Sequence, residues 1–277
     1  MLRSVKDMKD YAIRATDGTI GHVKDLYFDD EAWVVRYLVV NTGTWLSNRK
    51  VLISPFAIGH PDWAEKTLPV SITKEQVKRS PSIDTDKPVS RQHEIEQLGY
   101  YGYPNYWGGS GLWGAGAYPG AMMTGVGYGN PPGQYGRAQP GSALAAAEAQ
   151  QHEHDDPHLR SCEEVSKYRI QATDGEIGHV QGLLIDEDTW AIRYIIVNTS
   201  NWWLGHEVLV APQWIQNVSW PANTVSVNLT RQAVKAAPPY DSGAQLDREQ
   251  EAGIYDHYGR PGYWAAEAKP DRIRTDR

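Results

Sequence analysis

Displaced against itself by 157 residues, the chain aligns without a gap. Leu2-Arg3-Ser4 meets Leu159-Arg160-Ser161, and Ala15-Thr16-Asp17-Gly18 meets Ala172-Thr173-Asp174-Gly175. Ile20-Gly21-His22-Val23 falls on Ile177-Gly178-His179-Val180, and Val40-Asn41-Thr42 on Val197-Asn198-Thr199. About 33 of roughly 80 paired positions are identical, so one module of that length is written twice. Two copies separated by a long spacer make a tandem pair rather than a solenoid. The match resumes beyond the module, where Tyr101-Gly102, Pro104 and Tyr106-Trp107 meet Tyr258-Gly259, Pro261 and Tyr263-Trp264. The repeated unit is therefore the module plus a short acidic segment ending in Tyr-Gly-x-Pro-x-Tyr-Trp. Such rigid aromatics suit docking on a barrel surface, because they contribute contact area at low entropy cost.

Within the module, short runs of Val, Ile, Tyr and Trp alternate with turn residues. Tyr11-Ala12-Ile13 leads to a hairpin expected at Asp17-Gly18, and the next strand runs from Ile20 to Phe28. Trp33 to Val40 is nearly continuous apolar, which predicts a strand buried on both faces. Val51-Leu52-Ile53 stops at Pro55, and Leu68 to Ile72 alternates. Thr73 with Gln76 predicts a capped helix through Arg79, whereas the second copy keeps only the cap, Thr230, with Ala233 in the partner position. The expected fold class is all-β: two small barrels of five to six short strands plus one short helix each. A core of about 80 residues leaves little interior for a cofactor, and none is expected.

In order along the chain, these residues resemble the PRC-barrel domain family. The resemblance is carried by Asp17-Gly18, Ile20-Gly21-His22-Val23-Lys24-Asp25-Leu26, Arg36-Tyr37-Leu38-Val39-Val40 and Thr44-Trp45-Leu46. In the second copy it is carried by Asp174-Gly175, Ile177-Gly178, Arg193-Tyr194-Ile195-Ile196-Val197 and Pro238-Pro239-Tyr240-Asp241. The family includes the cytoplasmic domain of the photosynthetic reaction-centre H subunit and the C-terminal domain of a ribosome maturation factor. The resemblance implies a protein-protein interaction or assembly module rather than an enzyme, associated with a membrane complex of the reaction-centre type. It also implies one alternative, an RNA- or ribosome-associated adaptor; a stress-related ligand- or metal-binding protein is a third reading, separate from the resemblance.

The domains expected are a first barrel over 1–84, a disordered Gly/Tyr/Pro-rich linker over 85–157, a second barrel over 158–241 and a flexible tail over 242–277. Between Gly99 and Gly141 lie 14 glycines and 7 tyrosines, a composition that repays ordering entropy poorly. The formal charge of -7 over 277 residues argues against a general nucleic-acid binder. It divides into about +1 and -3 for the barrels, -4 for the linker and -1 for the tail. The lone Cys162 excludes an intramolecular disulfide. No run of eighteen apolar residues exists, and Met1 to Asp7 lacks the apolar core of a signal peptide, so a cytoplasmic location is expected. Peripheral association with a membrane and self-association are compatible with this composition.

Chemistry-bearing residues are few. His152, His154 and His158, among Glu153, Asp155 and Asp156, are weak metal candidates by residue type. The paired His22 and His179 are read as strand residues satisfied locally, and Asp29-Asp30-Glu31 and Asp186-Glu187-Asp188 as turn formers. No nucleophile motif surrounds Ser4 or Ser161. The interaction candidates are the aromatics Trp45, Trp202, Trp203, Tyr106, Trp107, Tyr263 and Trp264.

Overall fold

The computed structural model describes residues 1–81, 89–107, 109, 111–123, 159–199 and 206–267. His152, His154, His158, Trp202 and Trp203 lie outside the described residues. The chain divides into two compact units. The first holds Met1, Arg3–Val165 and Gly182–Arg193; the second holds Leu2, Ser166–Gln181 and Tyr194–Arg277.

In the first unit, β2 (Ala12–Ala15), β3 (Gly18–Asp29), β4 (Val34–Asn41), β5 (Lys50–Ile53) and β6 (Thr67–Pro69) form a sheet in the order β5-β4-β3-β2-β6. The first hairpin closes Ala15 on Gly18, one residue earlier than the sequence pattern suggests, because a bulge between Ile13 and Arg14 shifts the register. Asp17 is then free to accept from the Lys74 amide at 2.8 Å, which ties the turn to α1 (Lys74–Arg79). That helix carries the expected capping box, with Thr73 on the Gln76 amide and Gln76 on the Thr73 amide. β4 is buried from Val34 to Val40, as its nearly continuous apolar run predicts, and the one charge in it, Arg36, is buried with it.

The strand path is not a closed ladder. β5 and β6 end it, and the chain turns the corner between them through a 3-10 segment, Pro55–Ala57. Ile58 then bridges Val70, and Ser71 donates to Ala57 O at 2.8 Å. Pro55 and Pro69 have no amide hydrogen to give a ladder, so the expected closed barrel becomes an open, curled sheet with a covalent corner. Register breaks between Val23 and Asp25 and between Tyr27 and Phe28 supply part of the curl.

Two pieces from the second repeat complete this unit. β7 (Leu159–Ser161) adds antiparallel to β3, pairing Tyr27 with Ser161 and Asp29 with Leu159. The short α4 (Cys162–Val165) follows it. Arg160 Nε sits 2.8 Å from Asp30 Oδ2, and Arg3 Nε sits 2.9 Å from Glu187 Oε2. These are the same two positions of the repeat, read once in each direction. β1 (Leu2–Ser4) pairs with β9 (Gly175–Asp186), and the Val5 amide donates to Leu183 O at 2.9 Å.

The sheet of the second repeat runs β11-β10-β9-β8-β13-β12. Its remaining strands are β8 (Arg169–Ala172), β10 (Ile192–Asn198), β11 (Glu207–Val210), β12 (Ile215–Ser219) and β13 (Thr224–Val227). Pro212–Trp214 makes the same 3-10 corner. Thr230 caps α5 (Arg231–Lys235) through the Ala233 amide at 3.2 Å, and Asp174 accepts from the Arg231 amide at 2.7 Å.

Part of the expected flexible linker is built into the first unit. α2 (Arg91–Tyr101) starts at the Ser90 cap and ends at Gly102 in the left-handed region. Beyond it, Trp113 is completely buried, packed edge-on against Phe56 and donating its indole N–H to Thr189 O at 2.8 Å. The glycines around it bring backbone onto backbone: a Cβ at Gly109 would lie 2.2 Å from Gly114 C. Glycine here permits close approach instead of conferring mobility. A short α3 (Pro119–Met123) follows. Part of the expected flexible tail is likewise helical, as α6 (Arg248–His257) and α7 (Tyr263–Glu267).

Candidate functional site

The two acidic segments beyond the modules dock against buried tyrosines at equivalent positions of the repeat. In the first unit, α2 presents Arg91 and Glu94 on one face, three residues apart. Glu94 is buried, and Arg91 Nη1 lies 3.2 Å from its Oε2. Tyr106, also buried, donates its hydroxyl to Glu94 Oε1 and accepts from Arg91 Nη1 at 3.0 Å. The guanidinium of Arg91 stands 4.4 Å from the Trp107 ring centre, and that of Arg36 stands 3.9 Å from the Tyr106 ring. Beneath them Tyr37 of β4 is fully buried. Burial pushes its hydroxyl well above the ordinary value, and the neighbouring Glu94 carboxylate pushes it further. Burial raises the Glu94 carboxyl to about 7, against the opposing pull of Arg91 and the Tyr106 hydrogen bond.

The second unit repeats the core of this arrangement. Glu251 of α6 is buried, and its Oε2 accepts from Tyr194 Oη at 2.9 Å and from Tyr263 Oη at 3.0 Å. Arg248 Nη1 lies 3.3 Å from Glu251 Oε1, and its guanidinium stands 4.6 Å from the Trp264 ring centre. Burial, followed by the Glu251 carboxylate, raises the Tyr194 hydroxyl far above its ordinary value. Arg248, Glu251, Tyr263 and Trp264 are Arg91, Glu94, Tyr106 and Trp107 displaced by 157, and Tyr194 is likewise displaced from Tyr37.

Of the aromatic candidates, the structure therefore brings Tyr106 with Trp107, and Tyr263 with Trp264, into matching sites. Trp45 lies elsewhere: half-buried, it donates its indole N–H to Ile20 O and lies under Lys74 Nζ at 4.5 Å. Tyr37, Glu94 and Arg91, with their counterparts, were not singled out from the sequence. Their signal was present, because the 157-residue displacement that aligns Tyr-Trp also aligns Arg-x-x-Glu. Trp113 had no such signal, since the displaced position is Pro270.

The acidic turns are local structure. Asp29 Oδ1 accepts from the Glu31 and Ala32 amides, and Asp186 Oδ1 from the Asp188 and Thr189 amides. Asn41 Oδ1 accepts from the Gly43 amide at 3.0 Å. Among the described residues, no group of three or more His, Cys, Asp or Glu side chains is arranged to hold a metal ion. No helix among them is long and apolar enough to cross a membrane.

The first copy of the repeat, from β1 into α1, falls within a single family model, which matches residues 2–77. Those residues are a PRC-barrel domain. No curated protein matches the chain. The PRC-barrel match covers strands β1 to β6 and most of α1, so the docked α2 segment lies beyond it. Within the domain, Arg36 and Tyr37 of β4 are among the residues against which that segment packs, with Leu52 O accepting from Gln97 and Gln76 O from Tyr100.

Proposed function

We propose that the chain is a non-enzymatic assembly protein, in which two PRC-type sheets recognise helical segments of the Arg-x-x-Glu type followed by Tyr-Trp. The second repeat is read as a PRC-barrel domain on its ungapped alignment with the first. The observation that carries the proposal is the doubled constellation. In each unit a buried glutamate is hydrogen-bonded to a tyrosine of the docked segment and paired with an arginine. These groups hold a peptide segment; none is arranged as a nucleophile with its base. A carboxylate buried against phenols is specific, since a ligand lacking the matching groups leaves it unpaired.

The test uses the full-length chain as bait in a cytoplasmic extract and in a membrane fraction. The fraction that retains a partner reports whether the assembly is peripheral to a membrane complex, as the H-subunit resemblance implies. A defined protein retained by the wild type and lost from an Arg91→Glu, Arg248→Glu chain is the expected result. Retention of RNA alone, released by raising salt, would replace this reading with the adaptor alternative. Turnover of any substrate by the purified chain would remove the non-enzymatic part.

A further inference from the structure

We infer that the C-terminal segment Asp247–Glu267 is an exchangeable ligand, and that a second copy of this chain can dock its own segment on the Tyr194 face. This rests on the assembly reading above and names the partner.

Three observations carry it. The first is that one recognition scheme serves two segments of different sequence in two places. Arg, Glu, Tyr and Trp keep their spacing, while the residues between them change from Gln97-Leu98 to Ile254-Tyr255. Affinity therefore resides in the segment and the face. The second is the path into α6. From Asp241 to Gln250 every residue is exposed except the partly exposed Leu246. Beneath this path lies a cavity of about 270 Å³, lined by Leu209, Pro238, Tyr240, Leu246, Gln250 and Ile254. The connection is thus held by few contacts, while the far end of the helix is held by many. The Tyr255 ring packs on Trp214 at 5.1 Å and its hydroxyl accepts from Gln213 at 3.1 Å. Tyr258 packs on Trp214 at 4.7 Å, and Arg260 donates to Asn228 O at 3.2 Å.

The third is that α6 has ten residues with Gly253 in its interior, too short and too weak to persist alone. It orders only on the face, so the segment acts as a unit that is either docked or undocked. Exchange between copies makes no contact that the single chain does not already make, which keeps its cost low. The tether favours the chain's own segment by an effective concentration on the order of millimolar. A free segment therefore competes best where the resident one is weakened.

The experiment titrates a labelled synthetic peptide of residues 247–267 into the full-length chain, and into a full-length Tyr263→Ala, Trp264→Ala chain. Expected is saturable binding at least tenfold tighter to the double variant than to the wild type. A peptide carrying Glu251→Lys should bind at least tenfold more weakly. Equal binding of the two peptides, or no saturable binding to a double variant with native circular dichroism, overturns the proposal. If the double variant loses its native spectrum, Trp264→Ala alone takes its place under the same criteria. Failure here with a partner recovered from the extract leaves the assembly reading standing with another occupant. Failure of both removes both.

Discussion

Tyr194 donates its hydroxyl to Glu251 Oε2 across 2.9 Å, and Tyr263 donates to the same oxygen from the other side. One buried carboxylate thus joins the sheet, the helix and the Tyr-Trp extension. Glu251→Ala should deprive two hydroxyls, those of Tyr194 and Tyr263, of their shared acceptor, while the exposed Arg248 stays solvated. It should destabilise the docked segment by roughly 2–4 kcal/mol. Glu251→Gln keeps one acceptor and should cost about half as much. Hydrogen exchange of the α6 amides checks both, with exchange accelerating in that order.

The first unit should respond to pH through Glu94. Its carboxyl sits at about 7 in the docked state against 4.5 when exposed, so the docked state holds an extra proton between those values. Stability from this group is therefore complete below about 4.5 and is lost as pH rises towards about 7, a difference on the order of 3 kcal/mol. Denaturation of the full chain between pH 4.5 and 8, compared with Glu94→Gln, reads this directly. The variant should lose the share of the dependence that Glu94 supplies, leaving that of Asp25, whose carboxyl burial also raises.

Trp113 should matter more to stability than any aromatic chosen from the sequence. It is fully buried, packs against Phe56 and Tyr106, and lies 4.8 Å from the Arg36 guanidinium. Trp113→Ala should cost about 3–5 kcal/mol in urea denaturation, against about 1–2 kcal/mol for the half-buried Trp45→Ala.

Gly178 should tolerate no side chain. Its φ is 143°, and a Cβ there would lie 2.0 Å from Asn198 O. Gly178→Ala should lower stability by more than about 3 kcal/mol, seen as a fall in Tm. Gly21→Ala should do the same, since its Cβ would meet Asn41 O at 1.9 Å.

The strands were legible because burial imposes its period on the sequence: Val34 to Val40 read as a doubly buried strand and is one. The caps at Thr73 and Thr230 were legible because capping is local chemistry. The docked segments were half legible. Their aromatic signature stood out by repetition, yet the glycines around it suggested mobility. Whether glycine loosens a chain or lets it pack closely depends on what it faces, and Gly109 faces Gly114, which composition does not encode. The open sheet edge was missed for a related reason: a proline corner reads the same whether or not a ladder closes behind it.

The pairing of Tyr27–Asp29 with Leu159–Ser161 sets an order in time. On a ribosome, the first hundred residues emerge long before the strand that covers the outer edge of β3. During that interval the edge offers open amides and carbonyls to any extended chain nearby. Completion of the first unit waits for residues 182–193 as well. A nascent chain halted in the spacer therefore presents an unfinished sheet, and translation speed through residues 85–157 sets how long that exposure lasts.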